Sequence, residues 1–184
     1  MNTRIKGWIQ CATLALFVGC CLNTQIYSAD HKDKKCFNDP GCNAVPKGFI
    51  EYGYIYNITA QPAIALQAAV LFDSNGVLTS GILHTPGSSA ITIVKAGTYL
   101  VNFAVSGLQS NQFALFLNGL AVTDTIYGAG AGTEQNNGQS ILTIAAGDVL
   151  TLGNHTSSGP ITLQTLAGGT EVNVNASILI IKLG

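Results

Sequence analysis

The chain has 184 residues, 47% of them hydrophobic and only 9% Asp, Glu, Lys or Arg, against roughly 25% charged in an average soluble protein. Its formal net charge of −1 leaves no basic footprint for nucleic acid. So little charge cannot cover an isolated globule, so a membrane or partner subunits should hide part of the surface.

The length suits one domain of about 100–150 residues with appendages. From Phe49 onward two bases, Lys95 and Lys182, face six acids, Glu51, Asp73, Asp124, Glu134, Asp148 and Glu171, which leaves the body at −4. All five cysteines, Cys11, Cys20, Cys21, Cys36 and Cys42, precede Phe49. The body must therefore hold itself together without disulfides.

In chain order, Arg4 and Lys6 lead into an apolar run from Trp8 to Leu22 broken only by Gln10 and Thr13. Basic residues before such a run describe a secretory signal, and the run is shorter than the ~20 residues of a spanning helix. Residues 1–29 are read as a signal peptide or lipoprotein signal, and export follows. Leu16-Phe17-Val18-Gly19-Cys20 resembles the bacterial lipobox, with Phe17 where Leu is usual, and would make Cys20 the lipidated N-terminus. Cleavage after Ala29, with bulky Tyr27 two residues earlier, and retention as a short uncleaved anchor are the rivals. Residues 30–48 are polar and turn-rich and read as a linker. Within it Asp39-Pro40-Gly41 suits a type II turn that would bring Cys36 and Cys42 together. A disulfide-closed loop is the leading use in an exported chain; bridges between subunits or inert thiols are the alternatives.

Beyond Gly48 short apolar runs alternate with turns. The expected strands are 50–56, 63–66, 70–72, 90–94, 98–106, 112–117, 139–145, 148–154, 162–166 and 172–183. Stops such as Ser74-Asn75-Gly76, Thr85-Pro86-Gly87, Asn118-Gly119 and Gly168-Gly169 separate them. Many short strands with regular turn signals indicate a sandwich or jelly roll over residues 49–184. Strands this short, without aromatic girdles, fit poorly with an outer-membrane barrel.

Period-two alternation assigns the faces. Tyr99, Val101, Phe103 and Val105 fall on one side of their strand and Phe113, Leu115 and Leu117 on one side of the next, which makes these seven the expected sandwich core. Leu100 and Phe116 sit opposite and are expected at a subunit interface. In the last strand Val172, Val174, Ala176, Ile178 and Ile180 share a face. The other face turns apolar only at its end, adding Leu179 and Ile181 to the expected interface.

The phrases GYIYNITAQ (53–61), FDSNGVLTSGILHTPG (72–87), AGTYLVNFAVSG (96–107), NQFALFLNG (111–119), AGDVLTLGNH (146–155) and LQTLAGGTEVNVNASILIIKL (163–183) resemble the C-terminal domain of the BclA-like collagen-like spore-surface proteins of Bacillus. Those domains are similar to the jelly rolls of C1q and tumour necrosis factor. The resemblance implies a ten-stranded all-β jelly-roll sandwich that forms a homotrimer, as a surface glycoprotein head in the exosporium, alongside other spore-coat or surface proteins. The family's collagen-like stalk and its short targeting leader are replaced here by the signal-like segment and the Cys-bearing linker. Tyr52, Tyr54 and Tyr56 alternate on the first strand and would suit a sugar-stacking platform. The resemblance favours the other reading, a tyrosine ladder at the subunit interface, because it places this strand in the sheet facing partner subunits.

No catalytic, metal or cofactor site is expected. His84 and His155 lack a nucleophile context and are read as loop histidines. The Gly128–Gly132 run follows no βαβ pattern and reads as a crossover between strands. Asp124 and Glu134 are too few for calcium. Asn57, Asn154 and Asn175 begin Asn-X-Ser/Thr triplets that arise by chance in a bacterial chain. The leading expectation is a non-enzymatic trimeric structural head; the alternative is a head that binds a carbohydrate or a receptor.

Overall fold

The computed structural model describes residues 51–184. The expectations for the signal segment, Cys20, Cys36 and Cys42 lie outside the described residues.

The described chain is a sandwich of two antiparallel sheets. The first has the order β10-β6-β13-β1-β3, from β1 (Tyr52–Asn57), β3 (Ser74–Leu78), β6 (Gly97–Val105), β10 (Asn136–Ile144) and β13 (Ala176–Lys182). The second has the order β4-β5-β11-β7-β8, from β4 (Ile82–His84), β5 (Ile91–Ile93), β7 (Asn111–Leu117), β8 (Leu120–Ala121) and β11 (Val149–Asn154). Here β9 (Tyr127–Ala129) also pairs with β7. A separate ribbon joins β2 (Gln61–Ile64) to β12 (Ile161–Leu163).

Nine of the ten expected strands are present, 70–72 is not, and β3, β4, β8 and β9 are additional, which makes thirteen. β8 pairs with Phe116 and Leu117 and β9 with Asn111–Phe113, so both lie along β7. A 3-10 turn, Thr123–Thr125, separates them. Buried Thr125 fills the gap, its hydroxyl accepting from the Leu115 amide at 2.9 Å and donating to the Val122 carbonyl at 2.7 Å. Two of the expected strands, 63–66 and 162–166, correspond to the ribbon of β2 and β12 rather than to the sandwich sheets.

The core follows the alternation. Tyr99, Val101, Phe103, Val105, Phe113 and Leu115 are fully buried, together with Ile55, Ile144, Leu150, Leu152, Ile178 and Ile180. Leu117 corrects the expected list slightly. It is half-buried and packs against the core from the end of β7, where Asn118 (φ 51°) and Gly119 (φ 80°) turn the chain into β8. That pair of positive φ values is the chemistry of a two-residue Asn-Gly hairpin. The Tyr99 hydroxyl reaches the Lys95 carbonyl at 2.5 Å, which satisfies its one polar atom.

Three other expectations are corrected. Ser74-Asn75-Gly76 is not a stop but the start of β3, where pairing with β1 overrides turn chemistry. Residues 70–72 do not form a strand; the segment makes only single bridges, Ala69 to Gly153 and Phe72 to Ser88. The last strand begins at Ala176, leaving Val172 and Val174 exposed at 59% and 39%. Asn173 accepts from the Ala167 amide at 2.8 Å, a local bond that competes with strand pairing.

Candidate functional site

The outer face of the first sheet is the site the sequence points to, and strand register arranges it in rows. Gly53, Ile55 and Asn57 of β1 point into the sandwich, so Tyr52, Tyr54 and Tyr56 point out. Tyr52 stands beside Ile181, Ile181 beside Leu100, and Leu100 beside Ile141. One step along the strands lie Tyr54, Leu179, Asn102 and Gln139, and one step further Tyr56, Ser177, Ala104 and Asn137. The first row is wholly apolar apart from one phenol, the second is mixed, and the third is mainly polar.

Six of the seven expected interface residues, Tyr52, Tyr54, Tyr56, Leu100, Leu179 and Ile181, therefore share one continuous surface. Ile141, exposed at 61%, belongs with them and lies outside the expected set. Its alternation with Leu142 and Ile144, both buried, is the signal that marks it as outward. The Tyr54 and Tyr56 rings stack with centroids 5.3 Å apart. Tyr54 also lies over Gly76, where an added Cβ would come within 2.9 Å of its ring.

Phe116 does not belong to this surface, and its expected interface role is corrected. It lies on the outer side of the second sheet, is 8% exposed, and is covered by its own chain. Its ring crosses Gly153, where a Cβ would sit 2.7 Å from it, and meets His155 edge-on at 5.6 Å. An aromatic ring laid over a strand glycine is a recurrent packing device. His155 is held in turn by Gln67, whose amide donates to the His155 carbonyl at 2.6 Å.

Other polar groups are engaged structurally. His84 lies in β4 rather than a loop, with its ring nitrogens 2.6 Å from Asn75 Oδ1 and 3.1 Å from the Ser88 carbonyl. Asp124 accepts from Ser140 at 3.4 Å, and Glu134 from the Gly130 amide at 2.9 Å. Among the described residues no three His, Cys, Asp or Glu side chains gather as a metal site. Asn57, Asn154 and Asn175 are buried, at 2%, 0% and 1%. Their amide nitrogens are bonded inside the fold: Asn57 to Asn175 Oδ1 at 2.7 Å, Asn154 to the Ile64 carbonyl at 2.8 Å, and Asn175 to the Thr59 carbonyl at 3.0 Å. None presents its nitrogen to solvent for a glycan.

Glu51, just before β1, is 2% exposed yet charged. It pairs with Lys95, accepts from the Thr79 hydroxyl at 2.6 Å and from the Gly81 amide at 2.7 Å. The Lys95 ammonium and, after it, the Thr79 hydroxyl hold its carboxyl at about 2.

No family model matches the sequence, and no curated protein resembles it significantly. Solved structures do match. The globular domain of zebrafish complement 1qA protein superposes with a TM-score of 0.55 at 11% identity, over 73% of this chain and 98% of that one. Murine APRIL gives 0.51 at 13% identity, over 72% and 98%. The fold is a C1q/TNF-like jelly roll. Identity this low speaks for architecture alone, so the reading of the outer face rests on this chain's own residues.

Proposed function

We propose that the chain is a non-enzymatic head domain that self-associates as a homotrimer through the outer face of the five-stranded sheet. The observation that carries this reading is the row Tyr52, Ile181, Leu100, Ile141, an apolar stripe across four strands in a chain with only 9% charged residues. Hiding such side chains is worth roughly 1.5–3 kcal/mol each when burial is complete. The gradient along the strands also selects how copies meet. Rotation about an axis along the strands keeps each row level with its own kind. A two-fold axis across the strands would set the apolar row against the polar one. Parallel assembly also gathers every Glu51 at one end, where the preceding residues 1–50 join.

That geometry suits display. With the resemblance to BclA-like spore-surface domains, it supports a head domain over residues 49–184 on a bacterial spore or cell surface, the exosporium included. Residues 1–29 would direct export, by lipidation at Cys20 or cleavage after Ala29, and residues 30–48 would form a linker closed by Cys36–Cys42. The test is Ile141→Lys: a folded monomer by far-UV circular dichroism and light scattering is expected, and an unchanged trimer would overturn the reading.

A second reading, a carbohydrate- or receptor-binding head, draws on one feature. A shallow notch of about 250 Å³ is lined by Ser110, Asn111, Gln112, Ala129, Thr156, Ser157 and Ser158, neutral hydrogen-bonding groups that suit a polyhydroxyl ligand. Glycan-array binding abolished by Gln112→Ala, with the oligomer intact, would support it.

A further inference from the structure

The middle row of the outer face carries a phenol and two amides directly beside the apolar row. Tyr54, Asn102 and Gln139 sit at one level across the sheet, and among the described residues none of their side-chain polar groups has a hydrogen-bond partner. Beyond its place in the β10–β6 ladder, Gln139 is engaged through its main-chain carbonyl, which accepts from the Tyr127 hydroxyl at 3.0 Å. Asn102 is half-buried already, flanked along β6 by Leu100 and Ala104 and across it by Leu179. If another copy covers this face, as the proposed trimer requires, three polar groups enter an interface whose neighbouring row is apolar. Polar groups buried without partners are costly, so this level must be matched by hydrogen bonds from the adjoining subunit.

We propose that Tyr54, Asn102 and Gln139 form an inter-subunit polar layer, in which the Tyr54 hydroxyl of one copy meets the Gln139 and Asn102 amides of the next, and that this layer sets the register of the assembly. The partner is a second copy of this chain, and the inference rests on the self-association proposed above. The placement has a geometric basis. Tyr54 and Gln139 lie on β1 and β10, on opposite sides of β13 and β6, three strand spacings apart. That is roughly 14 Å within one chain at ~4.8 Å per spacing. Rotation about an axis along the strands brings the β1 side of one copy to the β10 side of its neighbour at equal height. The phenol then arrives at the level of the amides rather than beside Ile141. Buried Asn residues beside apolar layers fix the register and number of strands in coiled coils, at some expense of stability, and this row stands beside the apolar one in the same way.

A double-mutant cycle on the full chain separates the outcomes, since residues more than about 7–10 Å apart with no shared partner act additively. Thermal melts and native mass spectra are taken for wild type, Tyr54→Phe, Gln139→Leu and the double variant. The Tyr54, Asn102 and Gln139 side chains all point away from the subunit core, so each variant should fold. The expected result is that each single variant lowers the melting temperature of the trimer and the double variant lowers it by no more than the larger single shift. Asn102→Leu is expected to turn one trimeric species into a mixture of assemblies, while Asn102→Ser retains the single species. Additive shifts in the cycle, or Asn102→Leu remaining a single trimer, would overturn the polar layer alone. A monomeric wild type would overturn the self-association beneath it.

Discussion

Phe103 and Phe116 look equivalent as residues, aromatic and mid-strand, but their surroundings give them different roles. Phe103 is fully buried, meets Tyr127 edge-on at 5.9 Å and packs into the space left by Gly138, where a Cβ would overlap its ring. Phe103→Ala should destabilise the subunit by about 3–5 kcal/mol, read by denaturant unfolding. Phe116 is closed in by Gly153 and His155 of its own chain. Phe116→Lys forces a charge into that cover. It should lower subunit and assembly stability together, with no folded monomer released. A folded monomer from Phe116→Lys would return that residue to the interface.

Among the elements, β1 and its attachment are the sensitive joint. The strand start is pinned by Thr79, whose amide donates to the Tyr52 carbonyl at 3.0 Å and whose hydroxyl bonds Glu51, and by the Lys182 amide, which donates to the Glu51 carbonyl at 2.8 Å. Because the Glu51 carboxyl is held at about 2, below its ordinary value of 4.5, its contribution is fully present above about pH 4.5 and is lost as pH falls from there through 2. Glu51→Gln should therefore melt lower than wild type at neutral pH, and the gap should narrow in acid within that window. A gap that is constant from neutral pH to about pH 2 would contradict the latch.

How far the sequence reveals these elements depends on whether alternation or turn chemistry dominates locally. β6 is readable because Tyr99, Val101, Phe103 and Val105 alternate with their neighbours, and β7 because its apolar run is closed by Asn118-Gly119. β3 is not, since Ser-Asn-Gly is turn chemistry and only pairing with β1 makes it a strand. Val172 and Val174 extend the alternation of β13 past its true start, where Asn173 diverts the backbone. Of the candidate interface, six residues were legible as outward positions on amphipathic strands. Phe116 was misread because outward from a sheet is not the same as uncovered: Gly153 and His155, far along the chain, close over it. The polar row of Tyr54, Asn102 and Gln139 needed the register of four strands and could not be read from any one of them.

At the scale of the whole molecule, the account turns on one surface. A chain with a charge fraction of 9% has folded its core residues between two sheets and still displays a stripe of Tyr52, Ile181, Leu100 and Ile141, graded into polar residues toward the other end of the strands. The gradient favours copies side by side with matching ends. Subunit and assembly should be separable at Ile141 and inseparable at Phe103.

Sedimentation equilibrium of the intact protein, in native buffer and in denaturant, tests the central claim most directly. The account predicts a single native species of three times the denatured mass, unchanged on dilution to low micromolar concentration. A folded species of the denatured mass would contradict it.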